Sequence, residues 1–577
     1  MVTIDISIED FSRLLGLKQA LSPSELDDLV SFAKAEVDSD PEGPDENGHT
    51  KISIDIKTAS RPDLWSAEGL AREIRGLLDK PGLPKLKFPD SGYSIEVSKG
   101  VQSIRPYVAA VVAKGLKLND FLIKQLIQVQ DKVDFSFGRR RKRTSIGIYN
   151  LNMITSPIQY KTVPKSFKFV PLGFETEMTI EEILEKHPKG IEYGHIISGF
   201  DEVPILVDAE GGVLSLPPII NSNDVGRVTE ETTDILVEVT GTNHEAVKVV
   251  ISLLAQNLAD RGAEVGQVKV HYPEGYDFTE MIYPPQDPGE IEVDVKEINK
   301  YLGTSFTKTQ IKKLIKKRRH DVRNGSNKDK LVVLYGPWRH DIMHWVDISE
   351  EVAIAADYNK IGPSTANLFT VGGLHVSTQK ENLVREILVG CGLQEVMNYN
   401  LTDRATITDA VLRDDDFLRK HVIRLTNPVT STFEYLRPDL LPGLIRFVKR
   451  NSEVPFPHHV FETGEVAIRD GEDVVTLTKA AVVLAGSDET FETAHRVLDA
   501  VFRLTGIEYD LVETESNYLI PGRSASVLVN GNPVGIIGEL KIEILEHNGI
   551  IVPISAFEID LTKIPQLKIP EFRTNSY

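Results

Sequence analysis

The chain alternates strand-like and helix-like hydrophobic patterns from its first residues onward. MVTIDIS carries apolar residues at every second position, as a half-buried strand does, and IEDFSRLLG continues with helical spacing. KISIDIKTASRPDLWSAEGLAREIRGLLD repeats this order, with Ile52, Ile54 and Ile56 alternating with polar residues. Strands and short helices alternate from Tyr93 to about His271, and a mixed pattern follows to the C-terminus. The pattern predicts an α+β multidomain protein.

Segments rich in proline and glycine divide this pattern into regions. Residues 81–92 contain three prolines and predict a linker, and YPPQDPGE at 283–290 predicts a second one. The segment DSDPEGPDENGH at 38–49 predicts an acidic loop. At roughly 150 residues per domain, the length allows about four domains. The predicted domains are residues 1–92, 93–282, 288–363 and 364–577.

Two segments of the chain echo each other. ASRPDLWSAEGLAREI at 59–74 and PWRHDIMHWVDISEEVAIA at 337–355 each place Arg-x-Asp and an aliphatic residue before an acidic helix. Over their whole length the two segments are not spaced identically. A duplicated module is therefore a hypothesis that the sequence suggests.

Charge and cysteine content narrow the class of protein. The formal net charge of −20 argues against a general coat for nucleic acid, which needs a basic surface, but allows local basic patches. The single cysteine, Cys391, excludes an internal disulfide framework and fits a reducing compartment. The N-terminus lacks the layout of a signal peptide, and the apolar runs are shorter than the ~20 residues that span a bilayer. We expect a soluble cytoplasmic protein with no membrane segment.

The segment RHDIMHWVDISEE at 339–351 has three interpretations. His340 and His344 have the spacing of zinc ligands on a helix, but no third ligand stands nearby. Asp347 and Glu350 have the spacing of a helix capping box. Carboxylates on one helix face also suit a hard cation such as Mg²⁺. The carboxylates available to such an ion belong to Asp341, Asp347, Glu350 and Glu351.

Two basic segments stand out in this acidic chain. GRRRKR at 138–143 could contact RNA phosphates through charge, or could be a solvated loop. TKTQIKKLIKKRR begins with a possible Thr307–Gln310 capping box and predicts an amphipathic surface helix, with RNA contact as the alternative. Without aromatic interleaving, neither segment predicts a stacking platform for single strands. The residues of the first candidate RNA contact are Arg139, Arg140, Arg141, Lys142 and Arg143.

Five further segments carry a family resemblance. They are RPDLWSAEGLAREI, VLSLPPIINSNDVGRVTEETTDILVEVTGTN, RHDIMHWVDISEEVAIAADYNKI, NPVTSTFEYLRPDLLPGLI and VFETGEV, in this order along the chain. With these segments the chain resembles the β subunit of phenylalanine–tRNA ligase in its archaeal and eukaryotic cytosolic form. The resemblance covers essentially the whole length.

The resemblance implies an architecture and a set of partners. An N-terminal domain would precede an editing-type B3/B4 domain, a B5 domain and a C-terminal module shaped like a class II synthetase core with an antiparallel sheet. The α subunit, a separate chain, would carry the aminoacylation site in an (αβ)₂ assembly that uses ATP and tRNA(Phe). It also implies a Mg²⁺ site shared with α, on the B5 carboxylates Asp341, Asp347, Glu350 and Glu351.

A hydrolytic editing pocket is the second implication. A pocket for phenylalanine rejects tyrosine poorly, because an added hydroxyl is discriminated by only about 10²-fold, and a second site is the usual remedy. Interpreted without the family resemblance, VLSLPPIINS predicts only a strand with a proline turn, and TGT predicts only a loop. Glu238 stands where an aspartate is expected, so the reach of the carboxylate differs. The implied pocket residues are Leu206, Ser215, Asn221, Glu238 and Thr240.

The C-terminal module lacks the arginines of a class II active site. Such a site grips carboxylate and phosphate with bidentate arginines. In HHVFETGEV the corresponding positions hold Glu462 and Thr463, which predicts a non-catalytic module. The aliphatic residues of LRPDLLPGLIRFV could form an interface with α or belong to the core of the module.

These observations predict a β subunit that supports ATP-dependent charging of tRNA(Phe) and hydrolyses Tyr-tRNA(Phe). Two alternatives remain open at this point. One is a free-standing editing hydrolase, and the other is a non-catalytic RNA-binding scaffold.

Overall fold

The computed structural model describes residues 2–564 except 46, 47, 79, 85, 86, 224 and 226. The chain forms two compact units, one ending at Thr365 and one beginning at Ala366. Residues 46 and 47 of the predicted acidic loop lie outside the described residues, as do residues 565–577 of the last predicted domain. The described residues include no helix that is both long and apolar enough to span a membrane.

The first unit opens with a small module of three strands and three helices. The Ser7 hydroxyl accepts the amide of Asp10 and so starts the first helix, and Gly16 ends it at φ 82°. The strands pair antiparallel in the order β1-β3-β2. The elements are β1 Val2–Ser7, α1 Ile8–Leu15, α2 Pro23–Ser31, β2 Ala35–Val37, β3 Lys51–Ile56 and α3 Ala67–Leu78.

A large mixed sheet forms the middle of this unit. Its strands run in the order β12-β11-β10-β7-β4-β14-β5-β13-β6, and β15 pairs with β14. The strand that begins at Asp90 shortens the linker predicted for residues 81–92, because its backbone pairs with β14. The elements are β4 Asp90–Val97, β5 Tyr107–Lys114, α4 Asp120–Lys132, β6 Thr144–Asn150, β7 Ile158–Pro164, β8 Lys168–Phe169, β9 Met178–Thr179, α5 Ile180–Lys186, α6 Pro188–Tyr193, β10 Glu202–Val207, β11 Val213–Leu216, β12 Ile220–Asn221, β13 Ile235–Gly241, α7 His244–Asp260, β14 Glu264–His271 and β15 Glu280–Tyr283.

A second small module closes the first unit and repeats the first one. Strand, two helices, two strands and a helix follow in the same order, and the sheet order β16-β18-β17 matches β1-β3-β2. Asp294 caps its first helix and Gly303 ends it at φ 66°, as Ser7 and Gly16 do in the first module. The hypothesis of a duplicated module is confirmed. The elements are β16 Gly289–Asp294, α8 Val295–Leu302, α9 Lys308–Lys317, β17 Asp321–Asn324, β18 Lys330–Tyr335 and α10 Trp345–Ala356.

The second unit is built on one largely antiparallel sheet of order β19-β22-β23-β27-β26-β25-β24. Apolar clusters cover both of its faces, one including residues of α11 and α15 and the other residues of α14 and α16. The elements are α11 Val376–Gly390, β19 Gln394–Glu395, β20 Leu401–Thr402, α12 Arg404–Ile407, α13 Asp415–His421, β21 Tyr435–Leu436, α14 Leu441–Arg450, β22 His458–Asp470, β23 Asp473–Ala485, α15 Phe491–Thr505, β24 Asp510–Glu513, β25 Leu519–Val529, β26 Asn532–Leu540, α16 Ile542–Asn548 and β27 Ile554–Asp560.

Candidate functional site

A small polar cavity of about 130 Å³ opens beside β6, β11, β12 and β13 of the large sheet. Strand pairing determines which side chains reach it. Glu238 on β13 lies opposite Gly147 on β6, and Ser215 on β11 lies opposite Asn221 on β12. Because side chains alternate along a strand, Tyr149 shares the face of Gly147. All five of these residues line the cavity.

Three hydroxyl and carboxyl groups meet at one corner of the cavity. The Tyr149 hydroxyl donates to Oε2 of Glu238 at 2.5 Å and lies 2.8 Å from Oγ of Ser215. Gly147 leaves the space for this corner, because a Cβ atom there would overlap both the Tyr149 hydroxyl and the Glu238 carboxyl. The corner is therefore a compact hydrogen-bonding group that faces the cavity.

Burial changes the acidity of this corner. Desolvation raises the pKa of Glu238 from 4.5 to about 7, although hydrogen bonds from Tyr149 and the charge of Arg105 oppose the shift. The pKa of the Tyr149 phenol is also raised, first by burial and then by the neighbouring carboxylate. A carboxyl group with a pKa near neutrality can exchange a proton or a hydrogen bond with a ligand at physiological pH.

The remaining implied pocket residues lie behind the cavity wall. Thr240 is buried, and its hydroxyl accepts Nε of Arg105 at 2.9 Å. It is also 3.1 Å from Oγ of Ser145, which does line the cavity. Leu206 is buried on β10 opposite Ser215. Three of the five implied residues therefore face the cavity, and the assignment of all five as an editing pocket stays a prediction.

Sequence reasoning missed two residues of this corner, Tyr149 and Gly147. The segment TSIGIYN did carry a signal, because a lone glycine and a tyrosine alternate with isoleucines in one strand. That signal has meaning only once β6 is known to pair with β13. Arg105, whose guanidinium holds Thr240, comes from a different part of the chain and gave no local signal.

The basic run 138–143 forms a tight loop beside the cavity. Arg139, Arg140 and Arg141 all have left-handed φ values of 51°, 51° and 64°. Nη1 of Arg141 donates to the carbonyls of Pro218 and Ile219 at 3.2 and 3.0 Å, so this arginine belongs to the cavity wall. The neighbours Arg139, Arg140 and Lys142 are exposed to solvent.

Aromatic rings do accompany this basic run, contrary to the sequence-based expectation. The guanidinium of Arg140 lies over the ring of Phe135 at 5.1 Å, and that of Arg143 over the ring of Phe137 at 4.7 Å. The rings come from a π-helical turn, 133–137, that directly precedes the run and was not considered part of it. Phe135 is 56% exposed, so it presents a ring and a cation to solvent together.

The second basic segment forms the amphipathic helix α9. The predicted capping box between Thr307 and Gln310 is present, and Ile311 and Ile315 are buried. Near the end of the segment Arg318 turns inward and is fully buried. The lysine face is that of an ordinary surface helix, and RNA contact by this helix stays a prediction.

The helix that carries the acidic set begins earlier than the sequence suggested. It starts at Trp345 with His344 as N-cap, so Asp347 is the third helical residue and Glu350 is not its partner. Oδ2 of Asp347 accepts the amides of Met343 and His344 at 2.8 and 2.7 Å. The capping role of Asp347 is real, but the predicted Asp347–Glu350 box is wrong because the chain is already helical at Asp347.

The other carboxylates of the acidic set are bound by basic side chains. Glu350 pairs with Lys34 at 2.7 Å near the surface. Asp341 forms a bidentate pair with Arg339, with both distances 2.8 Å. Glu351 is 1% exposed and accepts Nε of Arg318 at 2.5 Å and Nη2 of Arg339 at 2.6 Å.

The arginines keep these carboxylates ionised. Burial would raise the pKa of Asp341, but the charge of Arg339 and its hydrogen bonds lower that pKa to about 2. Burial likewise opposes ionisation of Glu351, and the arginines lower its pKa well below its ordinary value.

The acidic set does not fit a magnesium site in this structure. Within the residues that the structure describes, no group of three or more histidine, cysteine, aspartate or glutamate side chains is placed to hold a metal ion. The magnesium assignment remains a prediction of the resemblance alone. His340 packs edge-on against Phe137 at 4.9 Å, so it serves packing rather than a zinc site.

In the second unit the position expected to carry a catalytic arginine holds a buried carboxylate. Glu462 is 1% exposed, pairs with Arg437 and accepts Nδ2 of Asn398 at 2.7 Å. Thr463 accepts Nη2 of Arg385 at 2.7 Å. The aliphatic residues of LRPDLLPGLIRFV are buried in the core of the second unit, which was one of the two interpretations of this segment. They are Leu440, Leu441, Leu444, Ile445 and Val448.

Three family models match successive parts of the chain. They are the B3/4 domain over residues 91–270, the tRNA synthetase B5 domain over 291–358 and the phenylalanyl-tRNA synthetase beta chain CLM domain over 363–561. The phenylalanine–tRNA ligase beta subunit of Pyrococcus abyssi is 40% identical over 98% of this chain and 100% of its own length. The chain belongs to the phenylalanine–tRNA ligase beta subunit family.

Further relatives agree with this membership. The beta subunit of Pyrococcus furiosus is 41% identical over 97% of this chain and 99% of its own length. A crystal structure of an N-terminal fragment of the beta subunit from Pyrococcus horikoshii is 41% identical, with a TM-score of 0.58 over 61% of this chain and 99% of the fragment. The implied α+β architecture, with B3/4, B5 and CLM domains, is confirmed. The exact borders predicted for the four domains stay predictions.

Proposed function

We propose that this chain acts in the cytoplasm as the beta subunit of a phenylalanine–tRNA ligase, in an (αβ)₂ assembly with an α subunit. The α subunit would carry the aminoacylation site, with ATP, its Mg²⁺ and phenylalanine as ligands, and tRNA(Phe) would contact both chains. The names of the relatives support this role. The buried Glu462–Arg437 pair supports a non-catalytic second unit, since this guanidinium is engaged by a carboxylate instead of being free to grip phosphate.

The first unit would hydrolyse Tyr-tRNA(Phe) in the polar cavity. The observation that carries this proposal is the corner formed by Tyr149, Ser215 and Glu238. A tyrosine hydroxyl that enters the corner can exchange hydrogen bonds with all three groups. A phenylalanine ring offers these groups no hydrogen bond, so the bonds among Tyr149, Ser215 and Glu238 stay as they are and only tyrosine gains polar contacts in the corner. The corner would therefore read the hydroxyl and spare correctly charged tRNA.

The exposed end of the basic loop would guide the tRNA to this cavity. Arg139, Arg140 and Lys142 supply positive charge, and the Phe135 ring under Arg140 supplies a stacking surface. Charge and an exposed ring together suit a single-stranded 3′ end. Arg141 fixes the loop to the cavity wall through the carbonyls of Pro218 and Ile219.

The test is hydrolysis of Tyr-tRNA(Phe) by the intact complex. We expect Tyr149→Phe to lower the rate by about tenfold to a hundredfold, because the corner loses its central hydroxyl. Gly147→Ala should lower it further, since the added methyl group occupies the corner. Charging with phenylalanine should be unchanged in both variants. Tyr272→Phe is the matched control, because its buried hydroxyl bonds the Val108 carbonyl away from the cavity.

Three outcomes would contradict this proposal. Hydrolysis that is equal in Tyr149→Phe and in the wild type would place the editing chemistry elsewhere. A native mass equal to one chain or a homo-oligomer would remove the α partner and favour the free-standing hydrolase. Absence of hydrolysis from an intact (αβ)₂ complex would favour the non-catalytic scaffold.

A further inference from the structure

The two small modules share a set of charged residues at identical positions. Arg61, Asp63 and Glu73 are spaced by two and ten residues, and so are their counterparts in the second module. Each glutamate is the seventh residue of its helix, α3 or α10. The echo noted in the sequence is therefore exact for the charged residues, although the surrounding segments differ. The counterparts are Arg339, Asp341 and Glu351.

Each set has the same internal geometry. Arg61 holds Asp63 with two hydrogen bonds of 2.9 and 2.8 Å and donates Nη2 to Glu73 at 2.9 Å. In the second module, Arg339 holds its aspartate with two bonds of 2.8 Å and donates Nη2 to its glutamate at 2.6 Å. Both arginines are 4% exposed or less. The two modules therefore build one motif twice.

The two sets meet each other in the interior of the first unit. Nη1 of Arg61 lies 3.6 Å from Oε1 of Glu351, across the boundary between the modules. Arg318 bridges both glutamates, with Nη2 2.9 Å from Oε1 of Glu73 and Nε 2.5 Å from Oε2 of Glu351. Nη1 of Arg318 also donates to the carbonyl of Phe32 at 2.6 Å. The second module thus inserts a fully buried cation between the acidic helices of both.

This arrangement leaves few oxygen atoms for a metal ion. Each carboxylate oxygen of Asp341 and of Glu351 accepts a hydrogen bond from a guanidinium. A divalent cation at these atoms would face Arg61, Arg318 and Arg339 at short range, with strong repulsion in a buried site. The two remaining residues of the acidic set have separate tasks, one as a cap and one in a surface ion pair.

We infer that Asp341 and Glu351 are structural residues of a buried ionic joint between the two modules, and that the acidic set does not bind Mg²⁺. The joint consists of Arg61, Asp63, Glu73, Arg318, Arg339, Asp341 and Glu351. The joint fixes one module against the other, because Arg61 reaches Asp341 and Glu351, and Arg318 reaches Glu73, across the boundary between the modules. Glu73, which the family resemblance leaves out, is as important to it as Glu351.

Hydrogen exchange at the backbone amides of α3 and α10 tests this inference. The full-length chain in its native complex is measured in excess Mg²⁺ and in EDTA. We expect Glu73→Gln and Glu351→Gln each to speed exchange in both helices by at least tenfold, equally in the two buffers. Glu350→Gln is the matched control, because Glu350 is outside the buried joint and its surface ion pair with Lys34 contributes little, so exchange should stay close to that of the wild type.

A metal site predicts a different pattern. Mg²⁺ would slow exchange of α10 in the wild type, and both Glu350→Gln and Glu351→Gln would abolish this slowing while Glu73→Gln kept it. That result would overturn the inference, as would unchanged exchange of α10 in Glu73→Gln. The test for a metal site does not require the destabilised variants to fold. The wild type and Glu350→Gln already show whether the acidic set binds Mg²⁺.

Discussion

Two buried glutamates of the first unit have opposite acid strengths. Glu238 in the cavity is 2% exposed and Glu351 in the ionic joint is 1% exposed. Burial raises the pKa of Glu238 to about 7. It also opposes ionisation of Glu351, yet the pKa of that group lies well below 4.5 because Arg318, Arg339 and Arg61 surround it. Equal burial therefore gives a titratable group in one place and a permanent charge in the other.

The difference lies in the partners. Glu238 receives a hydrogen bond from a neutral phenol, and Arg105 is engaged with Thr240 and Ser145 instead of contacting the carboxyl. Glu351 has a direct guanidinium contact at each oxygen. A group that must exchange hydrogen bonds with a ligand benefits from the first environment, and a group that holds two modules together benefits from the second.

The largest expected effect comes from removing the central cation of the joint. Arg318→Met leaves Glu73 and Glu351 buried without their shared partner, which typically costs about 3–5 kcal/mol. We expect the free energy of unfolding of the first unit to fall by that amount in urea titrations of the full chain. Arg323→Met, which removes a cation from an exposed pair with Glu290, is the control and should change little. Equal effects of the two substitutions would contradict the joint.

The acid–base behaviour of Glu238 gives the next effect. Because its pKa rises from 4.5 to about 7 on folding, the folded chain binds this proton more tightly than the unfolded chain does. The free energy of unfolding should therefore fall by roughly 3 kcal/mol between pH 4.5 and 7, at ~1.36 kcal/mol per pKa unit. In Glu238→Gln this part of the pH dependence should be absent. Parallel pH profiles of wild type and variant would exclude the raised pKa.

A smaller effect should follow from shortening the same side chain. Glu238→Asp restores the aspartate that the resemblance led us to expect, and it withdraws the carboxyl from Tyr149 by about one C–C bond, ~1.5 Å. We expect hydrolysis of Tyr-tRNA(Phe) to slow by about tenfold, while charging with phenylalanine stays constant. A rate equal to or above that of the wild type would mean that the longer reach of Glu238 is not used.

Local patterns in the sequence predicted much of the fold. The alternation of Ile52, Ile54 and Ile56 gave β3, and the Thr307–Gln310 spacing gave the start of α9. The cavity residues Ser215, Asn221 and Glu238 came from the resemblance and face the same space. Local patterns indicate the secondary-structure propensity and the helix caps of one segment at a time.

The features that escaped the sequence depend on contacts between distant segments. Tyr149 joins the cavity only because β6 pairs with β13, some ninety residues later. Glu351 looked like a metal ligand because its contacts with Arg318 and with Arg61 of the other module could not be seen in its own segment. Arg318 looked like the end of a solvated basic helix, and only packing of the two modules shows that it is buried. The sequence shows the residue types at these positions, but it does not show which side chains lie next to them in the folded chain.

The bridging position of Arg318 has a consequence for recombination between relatives. The two modules stand at opposite ends of the first unit's chain, so a crossover in the large sheet between them would combine an N-terminal module from one parent with a B5 module from another. Such a chimera would fold stably only if both parents supplied compatible residues of the ionic joint. The modules are therefore expected to be inherited as a pair, and domain-swap chimeras should exchange them together.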